Sequence, residues 1–305
     1  MMMRRLSNKV GRIIQGLALC GLLYALTPAA RLSQGGQIIL THANVIDGVT
    51  VEPMMDATVV IQNGKVQQVV RGAMPGIPPG ATVIDLKGKY VLPGLMDAHV
   101  HFNTVEQAQV ALRSGVTTVR SMGVSHYADV GLRELGRTGK VDIPEVLAAG
   151  YHVRPNVAAE FFLDSPSLAD VMGTVRGAEN LRRVVRANIE RNVDFIKMLA
   201  TERAGLPDTD PRKRTFTDEE ITAIVDEAKR FNIPVAAHAH GEEGAAAAIR
   251  AGVKSIEHGT YLSDASIALM KEKGTYLVPT IAVVQDLIDP GGQYSIAALQ
   301  ARGRH

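Results

Sequence analysis

The chain has 305 residues, 46% hydrophobic and 21% charged, with a single cysteine. That is room for one large domain with or without a satellite, and the balance excludes a disordered or fibrous chain. Lys+Arg total 33 against 31 Asp+Glu, so bulk charge gives no footing for nucleic acid, and a lone Cys20 excludes a disulfide framework and any multi-thiolate metal site.

Residues 1–30 read as an address. Arg4, Arg5, Lys9 and Arg12 precede an uncharged, mostly apolar run of 14 residues from Ile13 to Leu26, followed by Pro28, Ala29 and Ala30. A basic head, an apolar middle and small residues are the order of a secretory signal, which implies a secreted or periplasmic protein. The run is shorter than the ~20 residues of a stable membrane span. An uncleaved anchor is the alternative. Leu19, where a small residue is expected, speaks against lipid attachment at Cys20. Without this segment the chain carries 29 bases against 31 acids.

Residues 37–92 read as short strands: Ile38–Leu40, Ala57–Gln62, Lys65–Val70 and Ala81–Leu86. Asn63-Gly64 joins the middle pair, since both residues tolerate the positive φ of a type I′ turn. Pro75, Pro78 and Pro79 mark a loop.

From Tyr90 the rhythm changes. Strand candidates are Val91–Leu95 leading to His101, Thr117–Ser121, Glu145–Ala149, Asp194–Leu199, Pro234–His238, Lys254–Glu257 and Thr275–Pro279. Helix candidates between them include Ala178–Arg191, Thr217–Phe231 and Ala245–Ala251, the second opened by a capping box at Thr217-Asp218-Glu219-Glu220. Seven strand–helix units predict an α/β fold, a (β/α)8 barrel over residues 93–305. An open doubly wound sheet is the alternative, but Pro93-Gly94-Leu95 is not the Gly-rich phosphate loop such a sheet carries. After the seventh strand come an apolar run, Ile281–Ile288, and a helical stretch, Tyr294–Gln300. No eighth strand follows, so the chain reads as a barrel short at its C-terminus with exposed strand edges.

Histidines gather at the predicted strand ends, where barrel active sites lie. His99 and His101 follow the first strand; a side-chain period of two points them the same way, able to grip one ion. His238 and His240 repeat the pattern after the fifth strand, and His258 ends the sixth. One such pair could be two polar residues on a solvated strand end. Two pairs and a single His at three strand ends are harder to explain so. Imidazole suits Zn, Ni, Co or Fe, so composition alone does not choose the metal. Lys197 stands inside the apolar run Phe195-Ile196-Lys197-Met198-Leu199. A buried ammonium must find a partner or shift its pKa. Either it snorkels out at the strand end, or its neutral amine adds CO₂ to form a carbamate that bridges two divalent ions.

These residues resemble the metal-dependent amidohydrolase superfamily, and within it the imidazolonepropionase-like and Xaa-Pro dipeptidase (prolidase-type) branch. The resemblance runs from about Ile38 to about Leu287. It is carried by Leu92-Pro93-Gly94-Leu95-Met96-Asp97-Ala98-His99-Val100-His101, Gly115-Val116-Thr117-Thr118-Val119-Arg120, Asp194-Phe195-Ile196-Lys197, Pro234-Val235-Ala236-Ala237-His238-Ala239-His240-Gly241 and Ser255-Ile256-Glu257-His258-Gly259-Thr260. The resemblance implies a (β/α)8 barrel with a small β-sandwich, residues 37–92 forming the N-terminal part of the latter. It implies two divalent ions, zinc first among the candidates: His99 and His101 on the more buried, His238 and His258 on the second, and carbamylated Lys197 bridging and catalytic. His240 would be a catalytic and substrate contact, with Arg120 and Tyr261 also facing substrate. A bridging water activated by the metals would hydrolyse an amide bond of a dipeptide or N-acyl amino acid.

Departures from the pattern are Thr201-Glu202-Arg203 where the branch often has Thr-Gly-Gly, Gly150-Tyr151-His152-Val153-Arg154 in place of a Gly/His-rich loop, and Ser121 where Asp is common. The family's Asp at the end of strand eight has no counterpart. Two other readings therefore stand: an inactive truncated fragment, and a deaminase or cyclic-amide hydrolase of the same superfamily, against which Lys197 counts. The expected partner is a small-molecule substrate. Homo-oligomers are common among such barrels, and no residue here specifies one.

Overall fold

The computed structural model describes residues 36–206, 208–289 and 291. The expected export signal, Cys20 and the helical stretch Tyr294–Gln300 lie outside them. The described residues form two compact units that part between Pro93 and Gly94.

The first unit is a five-stranded sheet: β1 (Ile38–Val45), β2 (Met54–Gln62), β3 (Lys65–Arg71), β4 (Thr82–Asp85) and β5 (Tyr90–Val91). Its order is β3-β2-β1-β4, with β5 also on β1. The β2–β3 hairpin turns at Asn63 and Gly64, whose φ values of 53° and 72° are those a type I′ turn needs. Strand β1 continues five residues past the predicted Leu40, through the positive φ of His42 and an irregularity in its register with β2. A small core of Ala43, Val45, Ala57 and Val59 lies between β1 and β2.

The second unit alternates strand and helix. In chain order it runs β6 (Leu95–Val100), α1 (Val105–Arg113), β7 (Val116–Ser121), α2 (Ala128–Arg137), β8 (Glu145–Ala148), α3 (Ala159–Asp164), α4 (Ala178–Glu190) and β9 (Ile196–Leu199). Then come α5 (Asp218–Arg230), β10 (Val235–Ala239), α6 (Glu242–Ala251), β11 (Ser255–His258), α7 (Asp264–Lys273), β12 (Tyr276–Val278) and α8 (Ile281–Ile288). All seven predicted strands are present. The first begins only at Leu95, because Tyr90–Val91 pairs with β1 and the intervening Leu92-Pro93-Gly94 joins neither sheet. The capping box at Thr217 and Glu220 forms, both of its hydrogen bonds included.

Every pairing in this unit is parallel, in a three-stranded sheet β6-β7-β8 and a four-stranded sheet β9-β10-β11-β12. Among the described residues these ladders do not close into a ring. They meet at Val153, which bridges Met198, donating its N–H to the Lys197 carbonyl and accepting from Leu199 N–H, and at Asp194, whose N–H donates to the Ala148 carbonyl of β8.

Strand alternation sorts side chains between two faces. Ile196, Met198, Ala237, Ala239 and Ile256 pack into the main core with Ile221, Ile224, Ala245, Ala248 and Ile249 of α5 and α6. The register aligns Lys197, Ala236 and Ser255 across β9, β10 and β11, and likewise His238 and Glu257 one step further along. These residues take the opposite face. The polar chemistry of the strands is therefore segregated from the apolar packing that holds them.

Candidate metal centre

Alternation puts His238 and His240 on one side, and their rings stand 4.8 Å apart. It would send His258 to the other side, since its register partner is Ala239 of the helix-facing core. His258 instead adopts φ 75°. This left-handed conformation costs a β-carbon residue roughly 1–2 kcal/mol. It turns the ring back, 4.5 Å from His238 and stacked 4.6 Å from His240. Each of these three histidines offers a nitrogen, all within 4.8 Å of one another. The site thus brings His240 as close as the two histidines expected to hold the second ion.

The row continues through His99, 5.0 Å from His258, to His101, 5.4 Å from His99. It ends at His152, 5.8 Å beyond. Hydrogen bonds to acceptor-only groups fix which nitrogen three of the rings present. His101 Nδ1 lies 2.9 Å from the Gly123 carbonyl and His99 Nδ1 2.8 Å from Glu257 Oε2. Both partners can only accept, so Nδ1 carries the proton and Nε2 keeps its lone pair. His238 is reversed: Nε2 is 3.2 Å from the Glu202 carbonyl, which leaves Nδ1 as donor to an ion. His240 and His258 hold Thr260 and Thr280 hydroxyls at Nδ1, at 2.8 and 2.7 Å. Gly123 is required where it stands: its φ is 101° and an added β-carbon would come within 3.0 Å of the His152 ring.

Lys197 occupies the middle of this face, 2% exposed, and among the described residues its Nζ has no hydrogen-bond partner. Burial, only partly opposed by the charge of Glu257, lowers its pKa to about 7. The imidazoles are likewise held neutral. Burial, with the positive charge of Lys197 contributing, brings His240 down to about 4 and places His238, His258 and His152 below the ordinary histidine range. For His101, burial outweighs the Gly123 hydrogen bond and the value falls to about 4. Neutral imidazoles and an unprotonated amine are the forms that bind metal.

Arg120 points along the same face. Its Nη2 donates to Glu257 Oε1 at 2.7 Å and Ser255 Oγ at 3.1 Å, and its guanidinium lies over the Phe195 ring. Tyr261 is 40% exposed, its ring under the Arg212 guanidinium at 4.3 Å and its N–H bonded to the His240 carbonyl. Sequence reasoning passed over Glu257 and His152. Glu257 lies inside the motif that ends in His258 and His152 inside the stretch after the third strand, but nothing local to either marks it as a functional residue.

The donor set fits a divalent ion: five histidines, three of them with a lone pair fixed by an acceptor on the other nitrogen, share a face with a buried amine whose pKa burial lowers to about 7. The profile of the amidohydrolase family matches residues 90–300. Ochratoxinase of Aspergillus niger is 28% identical over 283 residues, covering 79% of this chain and 58% of its own length. A solved Xaa-Pro dipeptidase with bound methionine superposes with TM-score 0.72 at 28% identity, covering 87% of this chain and 73% of that one. A prolidase complexed with N-methylphosphonate-L-proline gives TM-score 0.71 at 29% identity, with 88% and 74% covered. The chain thus spans less than two thirds of the length of the curated relative.

Proposed function

This chain belongs to the amidohydrolase family, and from that premise we propose that it hydrolyses the C–N bond of small carboxylated amides, dipeptides or N-acyl amino acids, with two divalent ions, zinc first among the candidates. His99 and His101 would hold one ion, His238 and His258 the other, with Lys197 between them. The Lys197 amine would add CO₂, forming an N–C bond and releasing one proton, so that a carbamate replaces an amine for which burial leaves no partner. The observation that carries this reading is Lys197 itself: apolar packing has no use for it, and five imidazoles surround it.

When bound, the ions would lower the pKa of water towards neutrality and polarise the amide carbonyl. The chain's own residues do the rest. His240 is a neutral base whose Nδ1 is held by Thr260, suited to contact substrate and take a proton. Tyr261, tied through its backbone to His240, would line the approach of the substrate. The two parallel sheets are read as successive arcs of a (β/α)8 barrel, because His99 of β6 reaches Glu257 of β11 across 2.8 Å although those strands do not pair. The five-stranded sheet would be the N-terminal part of a β-sandwich, and residues 1–30 would direct export.

Support for the substrate class comes from the bound methionine and the proline phosphonate named for the two solved relatives. The test is metal content and turnover together. The chain, produced with zinc and bicarbonate, should carry about two ions per chain and release amine from N-acyl amino acids or Xaa-Pro dipeptides. Zinc-free protein that releases none would overturn the proposal.

A further inference from the structure

Glu257 is fully buried and its carboxylate is engaged by three side chains. Its two oxygens are divided. Oε1 accepts from Arg120 Nη2 at 2.7 Å and from Ser255 Oγ at 2.6 Å, while Oε2 faces only His99 Nδ1 at 2.8 Å. Ser255 stands two residues earlier on the same strand face, and Arg120 is braced against Phe195 at 5.2 Å. Three strands, β6, β7 and β11, therefore fix one carboxylate, and its free oxygen has a single addressee. His101 needs no such device, because the Gly123 backbone carbonyl orients it. Of the first histidine pair, only His99 is aimed by a side chain.

We propose that Glu257 is a positioning residue: clamped by Arg120 and Ser255, its carboxylate holds His99 as the Nδ1–H tautomer and directs Nε2 towards the metal, and Arg120 acts through Glu257 and not on substrate. This rests on the metal-centre reading above and alters one part of it, the expectation that Arg120 faces substrate. Carboxylate or carbonyl partners of this kind set both ring orientation and basicity of a ligating histidine.

The test uses the full chain, ¹⁵N-histidine labelled, with Glu257→Ala, Glu257→Gln, Arg120→Met and the Arg120→Met/Glu257→Ala double variant. Imidazole ¹⁵N shifts of the metal-free protein report the tautomer; zinc affinity comes from chelator competition, and metal-free Tm reports folding. Wild-type His99 should be the Nδ1–H form. Glu257→Ala should lose that preference and bind zinc roughly 10–100-fold more weakly. Glu257→Gln, which keeps an acceptor without the charge, should fall between and carries the test if the alanine variant does not fold. Arg120→Met should weaken zinc binding alone and add nothing on top of Glu257→Ala. A wild-type Nε2–H tautomer would overturn the proposal. So would variants that lower only Tm, or an Arg120→Met that raises KM at unchanged zinc affinity. If wild type shows the Nδ1–H form, loses it in Glu257→Ala, yet binds no zinc, the positioning stands and the metal-centre reading is what falls.

Discussion

Glu227 on α5 and Glu257 at the end of β11 are both no more than 2% exposed and both met by arginine, but the two regions use the same ion pair differently. Glu227 lies between α4 and α5, with Arg186 at 2.6 Å, Arg230 at 3.3 Å and Arg182 at 3.8 Å. Those arginines stay partly open to solvent, Arg230 most of all, and the cluster is a clasp between helices. Glu257 has one arginine and hands its second oxygen to a histidine whose other nitrogen faces a donor cluster. Burial with arginine is common to both; what separates structure from chemistry is where the remaining lone pairs point. Asp129 is a third case, fully buried, with no cation paired to it among the described residues and bonded to the N–H groups of Val130, Ala149 and Gly150.

Four experiments press on this contrast. The largest effect belongs to Lys197, whose Nζ has no hydrogen-bond partner among the described residues. Lys197→Ala should lower metal content from about two ions per chain to one or fewer by elemental analysis, since a bridging ligand is lost. An unchanged count would remove Lys197 from the site.

Asp129 should shape the acid limb of stability. Burial, against those N–H bonds, pushes its pKa up to about 6 from 3.8. The folded chain therefore binds the extra proton between those values. Its contribution is fully present below about pH 4 and lost by pH 6, a span of up to roughly 3 kcal/mol. Urea unfolding of wild type minus Asp129→Asn at pH 4, 5, 6 and 7 should show that fall; a difference independent of pH would refute it.

Glu227→Ala should cost about 1–2 kcal/mol in the same assay, because the arginines it releases are already solvated. Zinc affinity should stay at the wild-type value. A coupled loss of zinc would mean the clasp reaches the metal face after all. Smallest is Thr217→Ala, which removes the N-cap of α5 and should cost about 1 kcal/mol, read from the denaturant midpoint.

The fold was legible wherever local chemistry decides. Asn63-Gly64 named its own turn, and Thr217 with Glu220 named its own helix start. Short apolar runs between helical stretches marked the seven parallel strands to within a few residues. His-x-His spacing put His238 and His240 side by side because strand alternation needs no tertiary knowledge. His258 is where that logic ends. Its alignment with Ala239 predicts the wrong face, and only its left-handed φ brings it in. Arg120 was placed by the motif that ends with it, whereas the company its guanidinium keeps depends on β11, 135 and 137 residues away. Glu257 and His152 were invisible for the same reason, since each acquires meaning from a neighbour distant in the chain. Residues Ile281–Ile288 form a helix, and an apolar run of that length carries no local mark to say so.

Where the two parallel sheets meet at Val153 the bonds are main-chain ones, Val153 N–H to the Lys197 carbonyl and Leu199 N–H to Val153, while nearby Asp194 holds Ala148 by both its backbone N–H and its carboxylate. The stretch that leads to it is held by side chains, Asp194 on Ala148, Asp129 on Ala149 and Gly150, and Asn188 on Tyr151, but Val153 itself is held through its backbone. Such a hold is unforgiving of spacing. Inserting or deleting one residue between Gly150 and Val153 would shift the register that holds the lysine-bearing strand. Proline at Val153 or Leu199 would delete a bond outright. At Val153 the constraint is therefore one of length, whichever side chain the residue carries.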